Sequence, residues 1–207
     1  MHMTKAIETF NVWAEKNKDL GMEKNHTFSV NKMLELIPSD ILSTNFSFID
    51  IGCGNGWVVQ NIRNKKNCIK SVGIDGAEKM IQKAMEKDPN SEYFQFDIEK
   101  MDYKGEFNIV FSMEVFYYFT DPLKVLNYIY KNILKSGGCM IMGVDHYLEN
   151  TSSLSWGKDL GLELKTLSID EWEATFKQVG FKNIKLNQFG AKENWSGTLV
   201  IYSEKKD

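Results

Sequence analysis

A glycine-rich turn between an apolar strand and a helix constrains the fold of this chain more than any other feature. The segment FSFIDIGCGNGWVVQNI, residues 46–62, has glycines at every second position: Gly52, Gly54 and Gly56. Such glycines let the backbone turn tightly and let a ligand approach it closely. The turn also places backbone N–H groups and a helix N-terminus at the carboxyl end of a strand. In open α/β sheets, that is where ligands bind.

Strands and helices alternate along the chain after this point. Five apolar segments are separated by helical patterns, which predicts a parallel sheet with helices on both faces. Two C-terminal segments, FKNIKLNQF and GTLVIYSE, predict an antiparallel strand pair. The predicted fold is α/β, Rossmann-like and doubly wound, with a mostly parallel seven-stranded sheet. The five apolar segments are FSFIDI, SVGID, EYFQFD, EFNIVFS and CMIMGV.

Two helices are predicted before the first strand. Residues 4–20 have the apolar spacing of an amphipathic helix, and Gly21 is predicted to end it. A second helix is predicted over residues 29–37, closed by Pro38. Together they form a helical segment that precedes the sheet.

Helix starts are also marked in the second half of the chain. Asp121 and Pro122 predict an N-cap and first helical residue, and the SGG segment, residues 136–138, is predicted to end that helix. Ser168 and Glu171 have the spacing of a capping box.

The length of 207 residues favours one domain, residues 1–207. Residues 1–40 are expected to be a helical cap, and residues 41–207 the Rossmann-like core. The stretch 145–167 lacks a strong pattern and is expected to be a lid loop.

Composition narrows the functional classes. A formal net charge of −3 disfavours an electrostatic nucleic-acid binder, so no nucleic-acid partner is expected. The three cysteines form no CxxC pair, so neither a disulfide framework nor a metal site is predicted, and a reducing cytoplasm fits. No apolar stretch approaches about 18 residues and the N-terminus lacks the pattern of a signal peptide, so no membrane partner is expected.

The glycine spacing argues against two common classes of nucleotide-binding turn. A dinucleotide site has GxGxxG, whereas this chain has GxGxG and Trp57 where the third glycine would fall. A Walker loop needs a Gly-Lys-Ser/Thr ending, which is absent. A nicotinamide-dependent oxidoreductase is therefore disfavoured.

Five motifs in order resemble those of the class I S-adenosylmethionine-dependent methyltransferases, small-molecule type. FIDIGCGNGW resembles the first motif and VGIDGAEKM the acidic second motif. FQFDIEKM and FNIVFSMEVFYYF resemble the third and fourth, and LKSGG resembles the LKPGG that often precedes the fifth strand. The resemblance covers residues 46–144 in detail and implies S-adenosyl-L-methionine as the cofactor.

The resemblance also implies roles for individual residues. The glycines 52, 54 and 56 would lie against the methionine part of the cofactor, with Asp50 polarising the turn. Asp75 would accept hydrogen bonds from the ribose hydroxyls. The family often has a larger residue at position 76, which leaves open what covers the ribose and adenine; Ala77 and Met80 are candidates. The remaining implied cofactor residues are Gly76, Asp97 and Ile98 at the adenine, and Ser112 and Met113 at the methionine amino group.

Catalytic and acceptor residues are harder to predict, because methyl transfer from a sulfonium mainly needs proximity and alignment. His146 is the preferred base, since the ordinary pKa of histidine lies near neutrality, and Tyr117 is a second catalytic candidate. Surface or core roles are the alternatives for both. The substrate candidates are Tyr118, Trp156, Trp195 and His26, and Glu114, Asp145 and Tyr147 lie beside them in sequence.

The aromatic residues near the predicted site allow three interpretations. They would cage an amine or other cation, enclose a flat apolar substrate, or form only core and lid. Under the first, Trp156, Tyr117 and Trp195 approach the transferred methyl. The preferred function is methyl transfer to a nitrogen or oxygen of a small molecule, by a monomer or homodimer. A protein methyltransferase and a non-catalytic S-adenosylmethionine-binding protein are the alternatives.

Overall fold

The computed structural model describes residues 2–206, so the first and last residues of the predicted 1–207 domain lie outside the described residues. These residues form seven strands and eight α-helices. The strands are β1 (Phe46–Ile51), β2 (Cys68–Asp75), β3 (Glu92–Gln95), β4 (Phe107–Met113), β5 (Leu134–Val144), β6 (Lys182–Phe189) and β7 (Thr198–Glu204). The helices are α1 (His2–Glu15), α2 (Lys18–Leu34), α3 (Ser39–Ser43), α4 (Trp57–Arg63), α5 (Glu78–Lys87), α6 (Pro122–Asn132), α7 (Trp156–Leu160) and α8 (Ile169–Val179).

The strands form one sheet in the order β3-β2-β1-β4-β5-β7-β6. The first five strands are parallel, and β7 pairs antiparallel with both β5 and β6. The chain leaves β1 toward β2 on one side and returns to β4 on the other, so the carboxyl end of β1 lies at a topological switch point. The predicted fold class is confirmed, including the antiparallel C-terminal pair.

Helices cover both faces of the sheet with separate apolar cores. One core contains Leu126 of α6 and Trp172 and Phe176 of α8. The other contains Met33 of α2 and Val59 of α4. Because strands such as β1 are buried along their whole length, they read as continuous apolar runs in the sequence.

The N-terminal helices differ from the prediction that Gly21 ends the first one. The break lies earlier, at Asn17, whose φ of 55° is left-handed. Gly21 lies inside α2, is exposed, and has no neighbouring atom within 4 Å of an added Cβ. The second helix therefore starts at Lys18 instead of residue 29, since the packing of its later turns outweighs the cost of one exposed glycine.

The SGG segment also differs from the prediction. The helix α6 ends at Asn132, before that segment, and the segment belongs to β5. The predicted starts are confirmed: the Asp121 carboxylate accepts the Lys124 N–H, and Ser168 and Glu171 form a capping box. Among residues 2–206, no helix has the length and apolar character needed to cross a membrane.

Candidate active site

The glycine turn is fixed by backbone contacts to the neighbouring strand. The N–H groups of Gly52 and Cys53 both donate to the carbonyl of Ile74, at 2.7 and 3.0 Å. Gly52 has φ of +77°, and an added Cβ would lie 2.1 Å from Val115 Cγ2. Gly54 has φ of +53°, and an added Cβ would meet nothing within 4 Å. The turn is therefore packed against Val115 at Gly52 and open at Gly54, where a ligand can approach the backbone.

Asp75 at the end of β2 is held beside this turn. Its Oδ2 accepts the N–H of Gly54 at 2.9 Å, and its Oδ1 accepts the N–H of Ala77 at 2.8 Å. Burial raises the pKa of Asp75, and the two hydrogen bonds act in the opposite direction. Each oxygen keeps a lone pair, so the carboxylate can still accept hydrogen bonds from a ligand.

A cavity lies above the carboxyl ends of β1, β2 and β4, and we call it the main cavity. Helices α1 and α2 close it on the side away from the sheet. Six of the residues predicted to bind the cofactor line it: Gly52, Gly54, Asp75, Gly76, Ile98 and Met113.

Asp50 lies in a neighbouring cavity, the side cavity, which shares Gly52, Gly54 and Met113 with the main one. Asp50 is buried, and its Oδ1 has no hydrogen-bond partner among the described residues. Burial and the nearby Asp75 raise its pKa well above the ordinary value. A cationic group such as an α-ammonium would complement this carboxylate.

Three predicted cofactor residues lie outside the linings of these two cavities. Gly56 has φ of +77° and faces Tyr93, 2.7 Å from an added Cβ. The Asp97 carboxylate accepts the Glu99 N–H and caps a short 3₁₀ turn. The Ser112 hydroxyl donates to the Ile51 carbonyl at 2.8 Å. These side chains support the walls of the site, and their direct contact with a cofactor stays a prediction.

A side chain of the N-terminal helix occupies the space that a side chain at position 76 would fill. An added Cβ at Gly76 would lie 2.6 Å from Cδ1 of Ile7 in α1. Met80, one predicted cover, also lines the main cavity, whereas Ala77 is fully buried beneath it. Ile7 belongs to the apolar stripe of α1, but the stripe alone does not indicate which strand end it meets.

Glu114 directly follows β4 and lies where the cavities meet. Its φ of 61° is left-handed, which is unusual for glutamate. One carboxylate oxygen accepts the Tyr117 hydroxyl at 2.7 Å, and the other accepts the Asp145 N–H at 2.5 Å. Burial and the Asp145 charge raise its pKa well above 4.5. Glu114 is a candidate by sequence position, but the sequence does not show this central placement.

A third cavity, the aromatic cavity, opens on the other side of Glu114. Tyr117, Tyr118, Trp156 and His26 were predicted substrate or catalytic residues, and all four line it together with Phe10 and Trp13. Trp195 lies farther out, in a cleft that also contains Asp145, and its ring stacks on Trp156 at 6.0 Å.

His146 lies apart from the linings of the three cavities and of the cleft that contains Trp195. It is 2% exposed, its Nδ1 bonds to the Ser153 carbonyl at 3.0 Å, and its Nε2 bonds to the Thr166 hydroxyl at 2.7 Å. Burial lowers its pKa. These contacts join two parts of the segment 145–167, so the geometry favours a positioning role over the predicted proton acceptor.

His26, Glu114 and Asp145 form a compact group. His26 Nδ1 lies 3.8 Å from Asp145 Oδ2, and one ligand-type atom of each residue falls within 4.8 Å of the others. The three residues are close enough to surround a small cation. No such group was predicted from the sequence, because the three lie on α2 and after two different strands.

The fold and the turn–carboxylate site define a class I S-adenosylmethionine-dependent methyltransferase. A family model described as methyltransferase domain matches residues 42–192. The chain belongs to this family, and its cofactor is S-adenosylmethionine.

Curated relatives carry several acceptor names. A tRNA U34 carboxymethyltransferase of Pseudoalteromonas atlantica is 26% identical over 67% of this chain and 45% of its own length. A malonyl-[acyl-carrier protein] O-methyltransferase of Acetivibrio thermocellus is 24% identical over 68% of this chain and 46% of its own length. The chain thus spans about half the length of these relatives.

Solved structures share the fold. A chain of the Haloferax volcanii complex between the Trm112 methyltransferase activator and a candidate methyltransferase aligns with a TM-score of 0.82 and 24% identity, over 96% of this chain and 98% of that one. A Thermotoga maritima methyltransferase, a candidate histamine N-methyltransferase, aligns with a TM-score of 0.73 and 20% identity, over 96% and 100%.

Proposed function

We propose that this protein transfers a methyl group from S-adenosylmethionine to a nitrogen or oxygen of a small molecule. The observation that carries the proposal is the position of Glu114. It lines the main and side cavities, where the predicted cofactor residues lie, and also the aromatic cavity. One side chain thus faces both a cofactor space and a neighbouring cavity lined by aromatic side chains.

The residues present fit the cofactor. Asp75 would accept its ribose hydroxyls, and Ile98 would lie beside its adenine. Asp50, with an unpaired buried oxygen, would complement its ammonium group. When bound, the cofactor supplies a methyl group already activated by a sulfonium. The protein then needs to align the acceptor and exclude water, which are the main sources of rate for such a transfer.

We further propose that residues 1–40 act as a cap and residues 145–167 as a lid within one domain. Ile7 covers Gly76, and Asn55 of the glycine turn donates to Asp19 and Glu23 of α2 at 3.0 and 3.1 Å. Trp156 of the lid segment lines the aromatic cavity. Closing both segments would separate the reacting groups from solvent.

The acceptors named for relatives do not fix the acceptor of this chain. They include a tRNA, a malonyl-acyl-carrier protein and, for a structural neighbour, histamine. A small molecule is favoured because aromatic side chains line the cavity beside Glu114 and the net charge is −3. A cytoplasmic location stays a prediction from the free cysteines.

A screen of a metabolite library for release of S-adenosylhomocysteine tests the proposal. We expect turnover with at least one small molecule, and loss of that turnover in a Trp156→Ala variant that still binds S-adenosylhomocysteine. Turnover only with intact tRNA or a protein would overturn the small-molecule assignment. The control is Glu86→Gln, a substitution at an exposed residue of α5, which should behave as wild type.

A further inference from the structure

Among the described residues, acidic side chains line the cavities around Glu114 without any lysine or arginine beside them. The residues that line the main, side and aromatic cavities include Asp19, Glu23, Asp50, Asp75 and Glu114, and no lysine or arginine of the described chain lines any of the three. Lys83 and Lys87 pair with Asp19 and Glu23 from outside these linings. Glu114 therefore faces its cavities without a protein cation other than His26.

The Glu114 carboxylate is fixed in one orientation. The Tyr117 hydroxyl and the Asp145 N–H hold its two oxygens, and its left-handed backbone is a local strain of the kind found at functional sites. Asp145 is 6% exposed, and its Oδ1 has no hydrogen-bond partner among the described residues. A half-buried carboxyl group, that of Glu114, and a buried one, that of Asp145, are thus adjacent, and one oxygen is unpaired. Such an arrangement is costly unless a cation binds to it or a proton neutralises one of the two groups.

The surroundings of Glu114 favour an organic cation. Tyr117 and Tyr118 pack against each other with ring centroids 4.5 Å apart, and Phe10 meets Tyr118 edge-on at 5.3 Å. Trp156 closes the far side of the same cavity. Aromatic faces attract ammonium groups and also bury the apolar part of the molecule that carries them. A bare metal ion would use the carboxylates but not these rings.

We propose that the methyl acceptor is a primary or secondary amine that binds as its ammonium ion, with Glu114 as the anionic contact and the proton acceptor. This assignment rests on the proposed function. The ammonium N–H proton passes to the Glu114 carboxylate, which leaves the nitrogen lone pair free. That lone pair forms the new N–C bond to the methyl carbon, while the C–S bond breaks and its electron pair stays on sulfur. The products are a methylated ammonium ion, S-adenosylhomocysteine and protonated Glu114.

Calorimetry on the protein saturated with S-adenosylhomocysteine tests the assignment. The probes are benzylamine, phenethylamine, tryptamine, cyclohexylamine and hexylamine, each compared with the alcohol that has a hydroxyl in place of the amine. We expect at least one amine to bind about tenfold or more tightly than its alcohol, since the half-buried Glu114 carboxylate attracts an ammonium group but not a neutral hydroxyl. Glu114→Gln should remove most of that preference, and the exposed Glu86→Gln should retain it. Asp145→Asn, which keeps the Glu114 contact through its backbone, is a second variant if Glu114→Gln does not fold.

Each outcome decides something distinct. Binding of S-adenosylhomocysteine without any amine preference across the series overturns the amine assignment and leaves the proposed function standing. Failure to bind S-adenosylhomocysteine overturns the proposed function itself. Stoichiometric binding of Mg²⁺ or Zn²⁺ that depends on Glu114, without amine preference, would assign the group to a metal and overturn the proposal. The proposal is also overturned if Glu114→Gln weakens the binding of S-adenosylmethionine but leaves amine binding unchanged. The carboxylate would then contact the sulfonium and not the methyl acceptor.

Discussion

Ile7 of α1 lies directly over Gly76 at the end of β2, so that an added Cβ at position 76 would come within 2.6 Å of Ile7 Cδ1 and 2.7 Å of Ile7 Cγ1. The N-terminal helix is therefore part of the wall of the main cavity instead of a separate appendage. The missing side chain at position 76 is compensated by a side chain from 69 residues earlier in the chain. Position 76 and α1 should accordingly respond to mutation as a pair.

Gly76→Ala should weaken the binding of S-adenosylhomocysteine by about 1 kcal/mol, because the added methyl displaces Ile7 and loosens α1. Ile7→Ala in the same chain should recover part of this loss by making room. Isothermal calorimetry on the four proteins of this double-mutant cycle measures the coupling. Strictly additive losses would show that α1 does not rest on Gly76.

Gly21→Ala should stabilise the protein by about 0.5–1 kcal/mol, because Gly21 lies inside α2, is exposed and has open space around it. The measurement is the thermal midpoint without ligand, and a gain of about 2 °C is expected. A loss of stability would instead indicate that residue 21 ends a helix, as its sequence alone suggests.

Glu114 should make stability depend on pH in a defined direction. Its pKa in the folded state is raised above 4.5 by burial and by Asp145, so the folded state holds a proton that the unfolded state releases. This contribution is present below the unfolded pKa and is lost as pH rises through the folded pKa. Glu114→Gln should therefore gain in thermal midpoint relative to wild type as pH rises from about 5 to 8, by at least about 2 °C.

The comparison with the Gln variant is needed because other groups face Glu114. Asp145, with a pKa raised by burial, acts in the same direction, whereas His26, with a pKa lowered by burial, acts in the opposite one. Tyr117 and Tyr118 titrate far above this range. A stability difference between the two proteins that stays constant with pH would contradict a raised pKa at Glu114.

His146→Ala should destabilise the fold by about 1–3 kcal/mol, because it leaves the partners Ser153 and Thr166 without their hydrogen bonds. The affinity of this variant for S-adenosylhomocysteine should stay within about twofold of wild type, since His146 lines neither the three cavities nor the cleft that contains Trp195. Thermal unfolding and calorimetry check both expectations. Unchanged stability together with lost turnover would restore His146 as the proton acceptor.

The sequence predicted the sheet well because its signals are local. The apolar run of β1, the glycine turn and the capping box at Ser168 each depend on a few adjacent residues. Gly21 was misjudged for the opposite reason: whether a glycine ends a helix depends on what packs against the following turns. The start of β5 was misjudged likewise, since pairing with β4 extends it back to Leu134.

The candidate site was predictable where one strand end suffices. Asp75 and the glycines follow directly from the motifs and lie at the main cavity. The group of Glu114, Asp145 and His26 was not, because it requires knowing that β4 and β5 are neighbours and that α2 crosses above them. The burial of His146 likewise depends on the path of the segment 145–167, which carries no periodic pattern.

Calorimetry with S-adenosylhomocysteine and NAD is the sharpest test of whether the glycine turn and Asp75 bind S-adenosylmethionine. We expect S-adenosylhomocysteine to bind and NAD not to bind. We also expect a loss of about 1–3 kcal/mol in Asp75→Ala, where two ribose hydroxyls lose their acceptor, with Glu86→Gln unchanged as the control. No binding of S-adenosylhomocysteine to the folded protein, or equal binding by Asp75→Ala, would contradict this binding role.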